Sequence, residues 1–311
     1  MTAIYLDNNS TTLPSEAVRN SITEALSADG FANASSPPDY GRRARDYIEA
    51  GRDAVGRLTG ADPMHVIFTS GCTEANNMVL QRALESPGRL LTSVIEHPSV
   101  REPASWLESH GVEVVRLSGP WGRIEPASLA DALEEAPTSL VSVQWANSET
   151  GVLQPISEIA AICRSAGVPL HVDAAQAVGR EVIDFEAHGI DYLSFSGHKL
   201  HAPQGVGVLL AREPRSLLPL LRGGGQEGGF RAGTENLPGI VGLTAACDER
   251  ADDFGNAARW MRELRDDLET RVLEAIPDAE VNAREVPRVG NTTNIRFPVD
   301  GQAMMAQLGR L

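Results

Sequence analysis

Lys199 is the only lysine in the chain; the other 26 of its 27 basic side chains are arginines. A guanidinium stays protonated, whereas a lysine amine in a shielded pocket can lose its proton and attack a carbonyl to form a Schiff base. The amine stands in Ser194-Phe195-Ser196-Gly197-His198-Lys199, where an apolar run ends. Other polar groups follow apolar runs in the same way: Ser70-Gly71-Cys72-Thr73-Glu74, Glu96-His97, Asn147-Ser148-Glu149-Thr150-Gly151 and Asp173-Ala174-Ala175-Gln176. A glycine turn before a helix turns free N–H groups and the helix dipole toward an anion such as phosphate. A lone histidine is usually structural, but one at a strand end in this setting is open to a functional role. An aspartate that closes a buried strand has to be paired or hydrogen-bonded, because an uncompensated carboxylate there costs several kcal/mol.

These groups share one end of the elements that carry them. β-Branched apolar runs at Val66–Thr69, Leu90–Ile95, Val112–Leu117, Leu140–Trp145, Leu170–Val172, Tyr192–Phe195 and Val206–Leu210 read as strands. Helix-length segments at Glu74–Leu84, Ser99–His110, Pro126–Glu135 and Ile156–Ala166 separate most of them. Strands alternating with helices imply crossover connections and a largely parallel, buried sheet, in which ligands collect at the carboxyl ends of the strands. The connection around Lys199 is too short for a crossover, so its two strands are expected to be antiparallel, at or near an edge. Upstream, the sequence predicts a short strand from Ile4 running into polar turns, a helix over Glu16–Leu26 and a surface-lying helix over Arg42–Leu58. Downstream, the glycine-rich run Gly223–Asn236 reads either as a flexible linker or, because both of its ends have defined partners in the pattern, as an ordered loop shaped around a ligand. Leu237–Ala275 is predicted helical with a break near Asp253-Phe254-Gly255. Short strands at Glu280–Asn282 and Thr293–Phe297 and an apolar helix over Gln302–Leu311 follow.

Composition narrows the function. A net charge of −15 argues against a nucleic-acid groove or an anionic membrane surface, so any anion site must be local. No apolar run approaches a membrane span, and the N-terminus lacks a basic region followed by an apolar one; a cytoplasmic protein is expected. Three scattered cysteines, Cys72, Cys163 and Cys247, indicate neither a disulfide framework nor a zinc site, and the latter two are expected in the core. An amine, a carboxylate, an anion cradle and a histidine at neighbouring strand ends form the set that pyridoxal 5'-phosphate requires: a lysine for its aldehyde, an acid for its ring nitrogen and donors for its phosphate. Dinucleotide, nucleoside triphosphate and metal motifs are absent from the sequence.

Tyr5-Leu6-Asp7-Asn8 with Thr11-Thr12, Ser70–Asn77, Glu96-His97, Asn147–Gly151, Val172–Gln176, Ser196–Lys199 and Gly223–Asn236 together resemble the NifS/IscS-type cysteine desulfurases, in the class V aminotransferase group of fold-type I pyridoxal-phosphate enzymes. The segments occur in the family's order and span nearly the whole chain. The resemblance implies an α/β fold with a mostly parallel seven-stranded sheet flanked by helices, a large cofactor domain over residues 15–245, and a smaller α+β domain from residues 1–14 and 246–311. It implies that Lys199 carries the cofactor and moves protons on the substrate, that Asp173 pairs with the pyridine nitrogen, and that Gln176 bonds the ring hydroxyl. His97 would stack on the ring and assist proton transfer. Thr73, Ser196 and His198 would hold the phosphate, Thr234 would reach in from the partner subunit of a homodimer, and Asn147 would lie near the cofactor and the substrate carboxylate. The implied reaction removes sulfur from L-cysteine, leaving alanine and a persulfide for a sulfur-acceptor or iron–sulfur scaffold protein.

The resemblance places the nucleophilic cysteine and a carboxylate-binding arginine further along than Leu311, so a truncated sequence or half of a split enzyme is expected. Cys72 lies beside a helix N-terminus that would lower a thiol pKa, but a short fixed turn is poorly placed to reach substrate sulfur. Two rival readings are a related lyase or aminotransferase that needs no such cysteine, such as a selenocysteine lyase, and a catalytically silent homologue that binds a partner.

Overall fold

The computed structural model describes residues 5–27, 33–301, 303 and 304. Seven strands form one sheet: β1 (Val66–Thr69), β2 (Arg89–Ser93), β3 (Val114–Leu117), β4 (Thr138–Gln144), β5 (Leu170–Asp173), β6 (Tyr192–Ser196) and β7 (Gly207–Ala211). Their order is β1-β7-β6-β5-β4-β2-β3. Strands β6, β5, β4, β2 and β3 are parallel, and β7 runs antiparallel to both β6 and β1. Seven strands and the antiparallel pair flanking Lys199 are therefore as expected, with β7 one strand in from the edge.

Alternation along the strands assigns side chains to two layers of helices. Val66, Phe68, Leu91, Val141, Val208 and Leu210 face a core shared with α1 (Glu16–Ala25), α2 (Pro38–Thr59), α5 (Pro126–Glu135), α6 (Ile156–Ala166) and α8 (Leu237–Ala275). Ile67, Leu90, Leu140, Tyr192 and Leu209 face the opposite core, shared with α3 (Cys72–Gln81) and α4 (Pro98–Ser109). A four-residue helix, α7 (Phe185–His188), adds Phe185 to the first core. With both faces covered, the central strands are buried along nearly their whole length, as a parallel sheet requires, and the polar side chains they carry have to find partners inside it.

Chain order then fixes where a crevice opens. From β4 the chain passes through α6 to β5 on one face, and from β2 it passes through α4 to β3 on the other. The adjacent strands β2 and β4 thus diverge at their carboxyl ends, the place where open α/β sheets bind ligands. Glu96-His97 and Asn147 follow these two strands. Cross-strand pairing extends the row: Gln144 opposes Asp173, Asp173 opposes Ser194, and Ser196 and Thr69 both oppose Gly207. Gly207 has to be a glycine, since a Cβ there would stand 2.5 Å from Gly71 Cα and push the turn before α3 off the sheet.

Three expectations fail. The opening residues form no strand from Tyr5 onward: Tyr5 and Leu6 are exposed and have no strand partner, while Ile4 lies outside the described residues. Helix α2 is longer than expected and not merely surface-lying, because Ala44, Ile48, Ala54 and Val55 are buried and it packs on α8. Helix α8 runs unbroken through Asp253-Phe254-Gly255 for 39 residues. Before Asp253 it packs on α1 and α2, and beyond Gly255 Arg265 donates to Val289 O while Glu269 pairs with Arg288, so the helix is held on both sides of a weak local preference for a break. The paired strands β8 (Glu280–Val281) and β9 (Ile295–Arg296) are as expected, and the predicted helix over Gln302–Leu311 falls mostly outside the described residues.

Gly255 is exposed, and a Cβ on it would meet nothing within 4 Å. Gly255→Ala is therefore expected to stabilise the protein by about 0.5–1 kcal/mol in urea unfolding, by reducing the freedom of the unfolded chain. A destabilised variant would show that α8 bends at this point in solution.

Candidate active site

The end of β5 carries Asp173, which is buried. Its Oδ2 accepts from Asn76 Nδ2 at 2.8 Å, and its Oδ1 accepts from Ala175 N at 3.0 Å and from the Cys72 thiol at 3.3 Å. A carboxylate has about four acceptor positions, so this arrangement leaves one open on Oδ2. The same contacts dispose of Cys72 as a nucleophile. Burial first, and the charge of Asp173 second, push its thiol well above the ordinary range. Cys163 and Cys247 are buried as expected, and burial raises both to about 12.

The turn into α3 is built by side chains that occupy its first N–H groups. Ser70 N donates to Glu74 Oε2 at 2.8 Å, Gly71 N to Thr69 Oγ1 at 3.3 Å, and Cys72 N to Ser196 Oγ at 2.7 Å. Ser196 keeps its own proton to donate. Thr73, next in the helix, is exposed. Arg231 closes this corner by pairing with Glu74 Oε1 at 3.0 Å, and Glu227 anchors the same glycine-rich loop to Arg52 at 2.8 Å and to Phe68 N at 2.9 Å. The loop is thus ordered, with Thr234 exposed between Gly233 and Glu235.

Lys199 and His198, both half-buried, follow β6 and are bound by the N-terminal loop. Lys199 Nζ donates to the carbonyl of Asn9 and, at 2.7 Å, to that of Ser10. Burial, with the nearby Arg180 as second cause, holds the amine below the usual lysine range. His198 Nδ1 is 3.1 Å from Thr11 Oγ1, and burial followed by the Lys199 charge lowers its pKa. Gln176 Nε2 also donates to the Asn9 carbonyl, at 2.9 Å, while its Oε1 accepts from the buried Arg180. Asn9 reaches onward, donating to Ser148 O and Thr292 Oγ1, both at 2.9 Å.

Asn147 is committed to its loop: its Oδ1 accepts from Glu149 N at 3.0 Å and Thr150 N at 2.9 Å, and its Nδ2 donates to Ile95 O at 3.3 Å. This ties the loop after β4 to the segment before His97. His97 caps α4, with its Nδ1 accepting from Ser99 N at 3.1 Å. A cleft of about 470 Å³ opens beside it, lined by Thr73, Asn77, His97, Glu102 and Trp106 among others. Among the described residues, no cluster of His, Cys, Asp and Glu could hold a metal, and no helix is long and apolar enough to cross a membrane.

The structure thus sets Lys199, Asp173, Gln176, Ser196, His198, Thr73, His97 and Asn147 along one end of the sheet. Sequence reading gave no role to Asn9, Asn76, Glu96 or Arg180, although Asn76 and Glu96 stand in segments it had marked. Asn76 had a signal, since it shares a helix face with Cys72, Val79 and Ala83, all buried. Asn9 had none, because its partners are 139 and 283 residues away.

Glu96, also buried, accepts at Oε1 from Ser93 Oγ and from Gln144 N at 3.1 Å. Burial pushes this carboxyl up to about 8, with the Asp173 charge adding to the rise. The folded chain therefore keeps a proton that the unfolded chain releases above about 4.5, and this contribution to stability disappears as pH rises through about 8. Glu96→Gln, which keeps the neutral shape, is expected to gain a few kcal/mol on the wild type as urea unfolding is stepped from about pH 4.5 to about pH 8. A pH-independent difference would contradict this.

The aminotransferase class-V family matches residues 4–309. A cysteine desulfurase of Trichormus azollae is 39% identical over 315 residues, covering 100% of this chain and 78% of the relative. The cysteine desulfurase NifS of Azotobacter vinelandii is 38% identical over 317 residues, again covering 100% and 78%. Among solved structures, a NifS-like protein superposes with a TM-score of 0.93 at 32% identity, over 99% of this chain and 85% of its own. SspA, solved in complex with cysteine, gives 0.86 at 31% identity over 99% and 87%. DndA of Streptomyces lividans gives 0.83 at 35% identity over 99% and 88%. With its fold, its strand-end row of polar groups and these relatives in agreement, the chain belongs to the class-V aminotransferase family, as one of its cysteine desulfurases.

Proposed function

We propose that the chain binds pyridoxal 5'-phosphate covalently at Lys199 and uses it to take sulfur from L-cysteine. The observation that carries this reading is that the sole lysine, its amine held below the usual range by burial, and a buried carboxylate that keeps one acceptor position open stand at the same end of the sheet. The residues fit the cofactor. Asp173 Oδ2 suits the ring N–H. Thr73, the proton of Ser196 and the His198 ring suit a phosphate at the start of α3, where Gly207 leaves room for the turn. Gln176 suits the ring hydroxyl, with Arg180 setting the orientation of its amide. His97 faces the cleft beside α3, and Asn147 holds the loop that would border the substrate carboxylate.

When bound, the cofactor supplies an electron sink for the substrate's α-carbon. The chain's own share is to deliver an amine that can be deprotonated, to keep the ring nitrogen paired, and to hold protons at His97 and Lys199 for transfer. The overall change is balanced with a thiol as acceptor: the C–S bond of cysteine breaks, an S–S bond forms, and cysteine plus thiol becomes alanine plus persulfide. Cys72, Cys163 and Cys247 are buried, so the acceptor thiol is none of these. The same burial favours a second reading, a selenocysteine lyase, which needs no protein thiol.

The proposal extends to a homodimer, in which the exposed Thr234 of one copy completes the phosphate site of the other, to a sulfur-accepting or iron–sulfur scaffold partner, and to a cytoplasmic setting. It also divides the chain into a cofactor domain over residues 15–245 and a smaller one from residues 1–14 and 246–311, with α8 running through both.

With pyridoxal phosphate, L-cysteine and a small dithiol as acceptor, alanine is expected to form, and Lys199→Ala is expected to lower its rate at least about a hundredfold. Turnover of L-selenocysteine alone would favour the lyase reading. A Lys199→Ala chain as active as the wild type would contradict both.

A further inference from the structure

Below the strand-end row, hydrogen bonds run in one direction from the middle of the sheet to His97. His171 and Ser142 are cross-strand partners, with His171 Nδ1 2.8 Å from Ser142 Oγ. His171 Nε2 is 3.2 Å from Ser194 Oγ, and Ser194 Oγ donates to Asn76 Oδ1. Asn76 Nδ2 donates to Asp173 Oδ2 at 2.8 Å and to Ser99 Oγ at 2.9 Å. Ser99 Oγ is 2.8 Å from His97 Nδ1. His171, Ser142, Ser194 and Asn76 have no exposed surface, so each of these atoms has to be satisfied by a neighbour.

Donor and acceptor counting fixes the protons from Asp173 through Asn76 and Ser194 to His171. The Asp173 carboxylate only accepts, so Asn76 must present its NH2 to it and its carbonyl oxygen to Ser194. Ser194 then has to donate, and its free lone pair receives the proton of His171 Nε2. This leaves His171 Nδ1 to accept from Ser142, and burial holds His171 in that neutral form by lowering its pKa to about 4. On the other arm, the second N–H of Asn76 Nδ2 fills one lone pair of Ser99 Oγ and leaves the Ser99 proton free to be donated to His97 Nδ1. The Ser99 backbone N–H points at the same atom. A neutral imidazole whose Nδ1 accepts twice carries its proton on Nε2.

We infer that Asn76 is a positioning residue that orients Asp173 directly and, through Ser99, holds His97 as the Nε2–H tautomer, so that His97 offers its cleft side a hydrogen-bond donor. The inference rests on the proposed function for its consequence in catalysis, but the tautomer is a property of the chain without cofactor. Hydrogen bonds aligned in one sense reinforce one another, so the arms act as a unit.

The test is ¹⁵N NMR of the His97 ring in the full chain, without added cofactor, in wild type, Ser99→Ala, Asn76→Ala and the double variant. Wild type is expected to show the Nε2–H form in large excess. Ser99→Ala keeps the backbone donor and loses the hydroxyl, and it is expected to reduce the ratio of Nε2–H to Nδ1–H by about tenfold. Asn76→Ala is expected to reduce it in the Ser99 background and to add nothing once Ser99 is alanine. A wild-type ring in the Nδ1–H form, an even mixture, or a ratio unmoved by Ser99→Ala would overturn the inference. A further shift in the double variant would overturn the role of Asn76 through Ser99. If Asn76→Ala fails to fold, wild type and Ser99→Ala still decide the tautomer. A chain that binds no pyridoxal phosphate yet shows these shifts would sink the proposed function and leave this inference standing.

Discussion

A carboxylate closed inside a parallel sheet is the constraint on which the rest of the site depends. Left without partners, Asp173 would cost several kcal/mol, more than most single contacts return. The fold meets that cost from three directions: Asn76 on α3, the Ala175 N–H just beyond β5, and the Cys72 thiol at the turn into α3. Each partner is then fixed in place. Asn76 cannot rotate without setting an oxygen against the carboxylate, and Cys72 is removed from reactive chemistry by the same contact. The price of one buried charge thus becomes a rigid floor under the ligand crevice, with the open Oδ2 position as its one unsatisfied direction.

The roof is made differently. Asn8 to Thr12 form no regular element, yet their backbone carbonyls receive Lys199, Gln176 and Arg180, and the Asn9 side chain ties them to Ser148 and Thr292. An amine bound to neutral carbonyls, with Arg180 nearby and burial opposing its charge, is stabilised less as an ammonium than one paired with a carboxylate. The N-terminal loop therefore positions the lysine without giving it a salt bridge that would keep it protonated. Segments separated by almost the whole chain meet at Asn9, whose carbonyl receives this amine.

Much of this was legible in the sequence for a physical reason: strands buried on both faces are written as short apolar runs, and polar residues that follow them stand at the sheet's end. Val66–Thr69, Pro126–Glu135 and Ile156–Ala166 coincide with their elements, and the lone lysine, Asp173 and the turn at Ser70–Cys72 stood out by position. Residues whose roles come from distant partners did not. Asn9 and Arg180 look ordinary locally, Glu96 was marked by position but not by role, and His171 within Leu170–Asp173 could be read as a core residue because nothing nearby names Ser142 or Ser194 as its partners. The break expected at Gly255 failed for the opposite reason, since a local signal was visible but yielded to contacts that hold α8 on both sides of it.

The proposed function stands on the amine of Lys199 as the covalent seat of the cofactor. The chain carries only one lysine, so the α-amino group is the sole other primary amine. Borohydride reduction of the protein mixed with pyridoxal phosphate, followed by intact and peptide mass measurement, reads the site without ambiguity. One phosphopyridoxyl group per chain, on the peptide that contains Lys199, is the predicted result. An unmodified chain, or modification confined to the N-terminus, would contradict it.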